Sequence, residues 1–263
     1  MLGIFDSGIG GLTVARAIKK IRPNQPLVYF GDTARCPWGD KDAGTIKRYT
    51  KEIVEFLIGQ GAQEIVIACN TSSALVKKYL QKEFSRIRFY NVIDPVVAKI
   101  GQELKKHKKK SLKVGIIGTQ ATIQSGIFER QLKELDKNIS VISQACPQLV
   151  PLIEKGEADK KIIGAVLADC LSGFHKNPVD YLILGCTHYP LLKKPIKQFL
   201  GKRVKLISSD QETALVVKKN TPASLKSKAQ DRFYFSQLDS NKRKLVQKIM
   251  GRKIWMEEKP WKK

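Results

Sequence analysis

Two cysteines occupy matching places in the chain, and a pair of thiols so placed can move protons. In Glu64-Ile-Val-Ile-Ala-Cys69-Asn70-Thr71 an apolar run ends in a cysteine, with amide and hydroxyl side chains directly behind it and a helical pattern beyond. In Tyr181-Leu-Ile-Leu-Gly-Cys186-Thr187-His188-Tyr-Pro190 the arrangement recurs, and Pro190 suits the first turn of a helix. A cysteine at a helix start feels the positive end of the backbone dipole, and its pKa can fall to about 3.5–7.5. The same unpaired N–H groups attract a carboxylate. Two such starts can hold a small anion with a sulfur on either side of it. Cys146 and Cys170 lack this context and are expected to be structural.

Three chemistries compete for the two thiols. In the first, a thiolate removes a proton and a thiol returns one from the opposite face. In the second, one cysteine attacks covalently with His188 as its base, which leaves the other idle. In the third, Cys186, His188 and others bind a metal, but zinc wants about four ligands at recognisable spacing, and Cys-x-His plus a distant cysteine falls short. We expect no metal. Asp6-Ser7-Gly8-Ile9-Gly10-Gly11 is a tight turn that can present Asp6 and Ser7 to a cleft. It partly matches a dinucleotide fingerprint, with Asp32 at a plausible distance, but the third glycine of that motif is replaced by Thr13.

The elements that must position these groups alternate. Leu2-Gly-Ile-Phe, Leu27-Val-Tyr-Phe, the runs before Cys69 and Cys186, Phe89-Tyr-Asn-Val-Ile, Lys113-Val-Gly-Ile-Ile, Ser140-Val-Ile and Lys205-Leu-Ile read as strands. Helical patterns lie between them, such as Leu12, Ala15, Ile18 and Ile21, and the long stretch from Ala43 to Gln60. This alternation predicts an α/β fold with parallel sheets. Such sheets bind ligands beyond the carboxyl ends of their strands, where Asp6, Asp32, Cys69, Asp94, Thr119 and Cys186 would all lie. The two cysteines fall in different halves of the chain. We therefore expect two pseudo-symmetric parallel-sheet α/β lobes facing each other across a cleft. Residues 1–95 with 209–263 would form the lobe carrying Cys69, and 96–208 the lobe carrying Cys186.

The chain of 263 residues can build a large core, and its longest apolar runs are too short to span a bilayer. Its start lacks the features of a signal peptide, so a cytoplasmic protein is expected. The five cysteines argue for free thiols over a disulfide framework. The net charge of +24 is large, but the lysines are scattered, with peaks at Lys105–Lys110 and after Lys193. A solvated basic surface explains this better than a nucleic-acid site, since neither a zinc-finger spacing nor an aromatic–basic RNA motif is present.

Five stretches together resemble the aspartate/glutamate racemase superfamily, and its glutamate racemases in particular. They are Phe5-Asp-Ser-Gly-Ile-Gly-Gly-Leu-Thr-Val, Tyr29-Phe-Gly-Asp-Thr-Ala-Arg, Ala68-Cys-Asn-Thr-Ser-Ser-Ala, Val150-Pro-Leu-Ile-Glu and Gly185-Cys-Thr-His-Tyr-Pro-Leu-Leu. The resemblance implies interconversion of L- and D-glutamate without cofactor, supplying D-glutamate for bacterial peptidoglycan. It selects the two-base chemistry. Cys69 would take the proton from D-glutamate and Cys186 from L-glutamate, with Asp6, His188 and Glu154 assisting the thiols. Ser7, Trp38, Gly39, Asn70, Thr71, Thr187 and His188 would hold the substrate, with Asp6 beside them. The family commonly dimerises, so a homodimer is expected.

Three departures bear on substrate fit. Trp38 stands in Pro37-Trp38-Gly39 where the family usually has tyrosine, Cys36 replaces a common apolar residue and is expected to pack, and Asp94-Pro95 replaces a frequent Glu-Pro. The chain begins at its first strand, so control by a cell-wall precursor through an N-terminal extension is not expected. An aspartate or broader amino-acid racemase is the alternative, because one methylene in a pocket is worth only about 1–3 kcal/mol. A basic nucleic-acid-binding protein is the reading from a different class.

Overall fold

The apolar runs form strands that pair only in parallel, and most are buried on both faces, as parallel sheets require. The computed structural model describes residues 1–107, 112–156, 160–221 and 229–261. The second half of the lysine cluster therefore lies outside the described residues.

The chain opens with β1 (Leu2–Asp6), α1 (Leu12–Ile21), β2 (Leu27–Gly31), α2 (Ala43–Gly59), β3 (Glu64–Ile67), α3 (Asn70–Leu75), α4 (Lys77–Glu83) and β4 (Arg88–Asn91). Helix α5 (Asp94–His107) leads to β5 (Lys113–Gly118), α6 (Gln120–Gln124), α7 (Ile127–Leu135) and β6 (Ser140–Ala145). Then follow α8 (Leu149–Lys155), α9 (Lys160–Lys176), β7 (Tyr181–Gly185), a 3-10 turn (Tyr189–Leu192), α10 (Lys193–Leu200) and β8 (Lys205–Ser208). The remainder is α11 (Ser209–Asn220), β9 (Arg232–Phe235), α12 (Ser240–Met250) and β10 (Glu257–Glu258).

Two sheets result, in the orders β10-β9-β2-β1-β3-β4 and β6-β5-β7-β8. The core of the first, β2-β1-β3-β4, repeats the order of the second. Cys69 follows β3 and Cys186 follows β7, so the two thiols occupy equivalent places. Both also lie where the strand order reverses, between β1 and β3 and between β5 and β7, which is where open parallel sheets bind ligands. The expected pair of facing α/β lobes is present. Strands β9 and β10 join the first sheet beside β2.

Alternation along each strand divides the core. Leu2, Ile4 and Tyr29 pack on one face of the first sheet, and Phe5, Val28 and Phe30 on the other. In the second sheet Leu182 and Leu184 face one way, and Tyr181 and Ile183 the other. The segment around Glu154 is helix α8, with Pro151 in its first turn, where the missing N–H costs nothing. In α9, a Cβ built on Gly164 or Gly173 meets nothing within 4 Å. Gly173→Ala is therefore expected to stabilise the protein by about 0.5–1 kcal/mol, read as a higher urea midpoint at unchanged slope.

Cysteine pairing departs from expectation. Cys146, after β6, and Cys170, in α9, form a disulfide with Cα atoms 5.7 Å apart, while Cys36, Cys69 and Cys186 are free. Twenty-four residues separate the pair, so only the packing of α9 under the β6–α8 loop brings them together.

Candidate active site

Cys69 is the N-cap of α3, and Cys186 directly follows β7. Both line one enclosed cavity between the lobes. Ser7, Trp38, Gly39, Asn70, Thr71, Thr187 and His188, the residues the sequence offered for substrate, share its wall. The cavity has a volume of only about 10 Å³, so the lobes are closed and must part to admit an amino acid. Both amide atoms of Asn70 and Nε1 of Trp38 are buried without a protein partner. Buried polar groups are rarely left unpaired, and these point to a ligand that would complete them.

Behind the wall, the glycine turn is explained by close approach. Asp6 is fully buried and accepts hydrogen bonds from the Gly8 amide (3.0 Å) and the Thr187 hydroxyl (3.0 Å). Glu154 Oε1 accepts from the Ile9 amide (2.8 Å) and lies 2.7 Å from His188 Nε2. A Cβ on Gly8 would stand 2.2 Å from Glu154 Oε1, and one on Gly10 2.4 Å from His188 Nδ1. The turn's amides thus serve the protein's own carboxylates, in place of the pyrophosphate that a dinucleotide motif would hold. Asp32 is likewise committed, to Arg35, Ser236 and Trp261.

On the Cys186 side, Sγ lies 3.7 Å from His188 Nδ1, so Glu154, His188 and Cys186 form a relay. Burial works against charge on His188, yet its contacts with Cys186 and Glu154 hold its pKa well above the usual value of 6.5. On the other side, Cys69 Sγ lies 3.6 Å from Ser7 Oγ. Here the expectation of a lowered pKa is corrected. Burial, followed by the nearby Asp6 charge, pushes the Cys69 thiol up, outweighing the hydrogen bonds from Ser72 and Ser7 that stabilise its thiolate. Burial also raises the Asp6 carboxyl, against the pull of His188, Thr187 and Gly8. The second helix start is also weaker than expected, because Cys186 precedes a short 3-10 turn whose N-cap is His188.

Pro37 and Val150 line the wall without having been expected there, and so does Thr119, which was expected at the shared strand edge but not among the substrate contacts. Thr119 caps α6 and joins a hydroxyl cluster with Thr71 (3.0 Å) and Thr122 (2.9 Å). Its signal was the internal repeat, since it follows β5 as Ser7 follows β1. Asp6 and Glu154, expected among the catalytic residues, stand behind the cavity and not in its lining, bonded to Thr187 and His188. Asp94 lies elsewhere, at the start of α5, bonded to Lys77, Asn91 and Gln131. Cys36 is half-buried, packs against the second lobe's core and also lines an outer cavity beside Glu154. Among the described residues, no group of three His, Cys, Asp or Glu side chains is placed to hold a metal ion.

A fold of two repeated lobes with one thiol from each facing a closed polar pocket defines a class, and comparison with known proteins agrees. The Asp/Glu/Hydantoin racemase family model matches residues 13–214, and the chain belongs to that family. Within it, the chain is similar to glutamate racemases. That of Geobacter metallireducens is 43% identical over 82% of this chain and 78% of its own. That of Aquifex aeolicus is 42% identical over 96% of this chain and 95% of its own. The crystal structure of the Francisella tularensis glutamate racemase, in complex with D-glutamate, superposes with a TM-score of 0.86 at 34% identity, covering 98% of this chain and 96% of that one.

Proposed function

We propose that this protein interconverts L- and D-glutamate by two-base proton transfer at Cα, with Cys69 and Cys186 as the opposed thiols. The observation that carries this is the equivalence of the two cysteines. Each follows the third strand of its repeat, at the strand-order switch, and both line one pocket. One is thiolate while the other is thiol, and each turnover exchanges them. Cys69 takes the proton of the D enantiomer and Cys186 that of the L enantiomer. Asn70, Thr71, Thr187, Ser7 and the Trp38–Gly39 segment hold the carboxylates and ammonium. Asp6 positions Thr187, and the Glu154–His188 pair supports the charge changes at Cys186. The product supplies D-glutamate for peptidoglycan in the bacterial cytoplasm, and the working assembly is a homodimer.

Incubation with each enantiomer in D₂O, without added cofactor, tests the activity. Deuterium should enter at Cα as optical activity decays from both sides. An absolute requirement for pyridoxal phosphate, or racemisation of aspartate alone, would overturn the assignment.

The relay makes a pH prediction. A histidine whose folded pKa is raised stabilises the fold below its unfolded value of about 6.5, and loses that contribution as pH rises through the folded value. Glu154→Gln removes one of the charges that raise it. The alkaline limb of the kcat/KM profile should then move to lower pH, with kcat/KM at neutral pH reduced on the order of 10–100-fold. An unmoved alkaline limb would show that His188 does not set it.

A further inference from the structure

The loop that carries Pro37, Trp38 and Gly39 to the cavity is anchored at its root by residues from the far end of the chain. Asp32, which ends the approach from β2, is fully buried. Its Oδ2 accepts from Arg35 Nε at 2.6 Å, and its Oδ1 accepts from Ser236 Oγ at 2.8 Å and from Trp261 Nε1 at 2.9 Å. The Arg35 guanidinium is sandwiched between two rings, 3.8 Å from the centroid of Tyr49 and 4.3 Å from that of Trp261. Tyr49 in turn packs on Trp38, ring centroids 5.6 Å apart. Trp261 itself is seated by Phe30, at 5.0 Å between centroids. It is held over the loop because β10 pairs with β9 and the Lys259 amide donates to the Phe235 carbonyl at 2.7 Å.

A cation between two aromatic faces is attracted by both quadrupoles. A buried carboxylate is stable only when its acceptor sites are filled by charged or polar donors. Removing Trp261 strips one donor from Asp32 and one face from Arg35, the residue directly before Cys36. We propose that Trp261 is a positioning residue for the substrate-facing loop, clamping Asp32 and Arg35 so that Trp38 and Gly39 meet the substrate. This rests on the racemase reading for its kinetic consequence, but the clamp itself does not.

The test uses the full chain with Trp261→Ala and Trp261→Phe, the latter keeping a ring over Arg35 while losing the N–H donor. Two readouts are followed. For kinetics, Trp261→Ala should raise KM for both enantiomers about tenfold, with kcat changed by less than about threefold, and Trp261→Phe should recover most of the loss. For the loop, the rate at which iodoacetamide alkylates Cys36, followed on its own peptide by mass spectrometry, should rise at least about fivefold in Trp261→Ala as the loop loosens. Cys36 borders the outer cavity and is already half-buried, so it reports the loop without entering the reaction. Equal Cys36 rates in the wild type and Trp261→Ala would overturn the clamp whatever the kinetics, and so would a fall in kcat with KM unchanged. If Trp261→Ala does not fold, Trp261→Leu, which also removes both the N–H donor to Asp32 and the ring over Arg35, takes its place, and a Cys36 rate equal to the wild type's in that variant would overturn the clamp. A wild-type protein that does not racemise glutamate rejects the proposed function instead, and the alkylation comparison still decides the clamp.

Discussion

Cys69→Ser and Cys186→Ser are each expected to abolish interconversion of the glutamate enantiomers. A serine hydroxyl keeps the shape of the thiol but is far less acidic, so it cannot act as the resting anion on one face or give up its proton on the other. General acid–base catalysis contributes roughly 10²–10⁴-fold, and the loss of racemisation should reach at least the upper end of that range, because each turnover needs both groups. The two variants should differ in what remains. With Cys186 replaced, Cys69 can still take a proton from D-glutamate and return it to the same face. With Cys69 replaced, Cys186 can do so with L-glutamate. Any residual deuterium incorporation in D₂O is thus expected without inversion, confined to the D enantiomer for Cys186→Ser and to the L enantiomer for Cys69→Ser. Racemisation near the wild-type rate in either variant ends the two-thiol mechanism. Both thiols are nearly fully buried, so neither substitution should expose new surface, and far-UV circular dichroism should match the wild type.

Gly10→Ala is expected to damage fold and activity together. The added methyl would lie 2.4 Å from His188 Nδ1 and 2.6 Å from both His188 Cε1 and Thr187 Oγ1. Neither side chain is free to turn aside. His188 is 1% exposed and held by Glu154, and Thr187 is held by Asp6. Thr13 also donates to the Thr187 carbonyl at 3.0 Å, so the backbone there is tied to α1. The lobes must move apart or a buried hydrogen bond must break. Overpacking typically costs about 1–3 kcal/mol, and a stranded buried polar group a similar amount. Displacing His188 by about 1 Å should lower kcat/KM on the order of 100-fold. Urea unfolding and steady-state kinetics measure the two effects, with Gly173→Ala as the control in which a methyl meets open space. A Gly10→Ala protein of wild-type stability and rate would mean that the closed packing around His188 is not the catalytic arrangement.

The alternation of strands and helices was legible because it is a local property. Parallel strands buried on both faces must be apolar at nearly every position, and the intervening helices carry their own period. The repeat of Cys69 and Cys186 was legible for the same reason, since each sits at the end of such a run. From those two facts follow the α/β class, the facing lobes and a shared ligand edge. The motif around His188 and the glycine turn supplied the remaining site residues through family resemblance.

What stayed hidden depends on contacts between distant segments. The Cys146–Cys170 disulfide forms because α9 passes beneath the β6–α8 loop, which no spacing of cysteines reveals. The Cys69 thiol is pushed up despite its place at a helix start, because burial and the Asp6 charge outweigh what one short helix supplies. The strand-end place of Thr119 was legible, but its contact with the Thr71 hydroxyl across the lobes depends on where α6 packs. Trp261 acts on a loop more than two hundred residues earlier, through a buried carboxylate that sequence alone offered as a nucleotide contact. By itself, then, the sequence determined the periodic elements and the chemistry borne by single residues, because both are written in neighbouring side chains. Only the tertiary structure decided which groups converge, how dry their surroundings are and what holds them there, because those depend on the long-range packing of the whole chain.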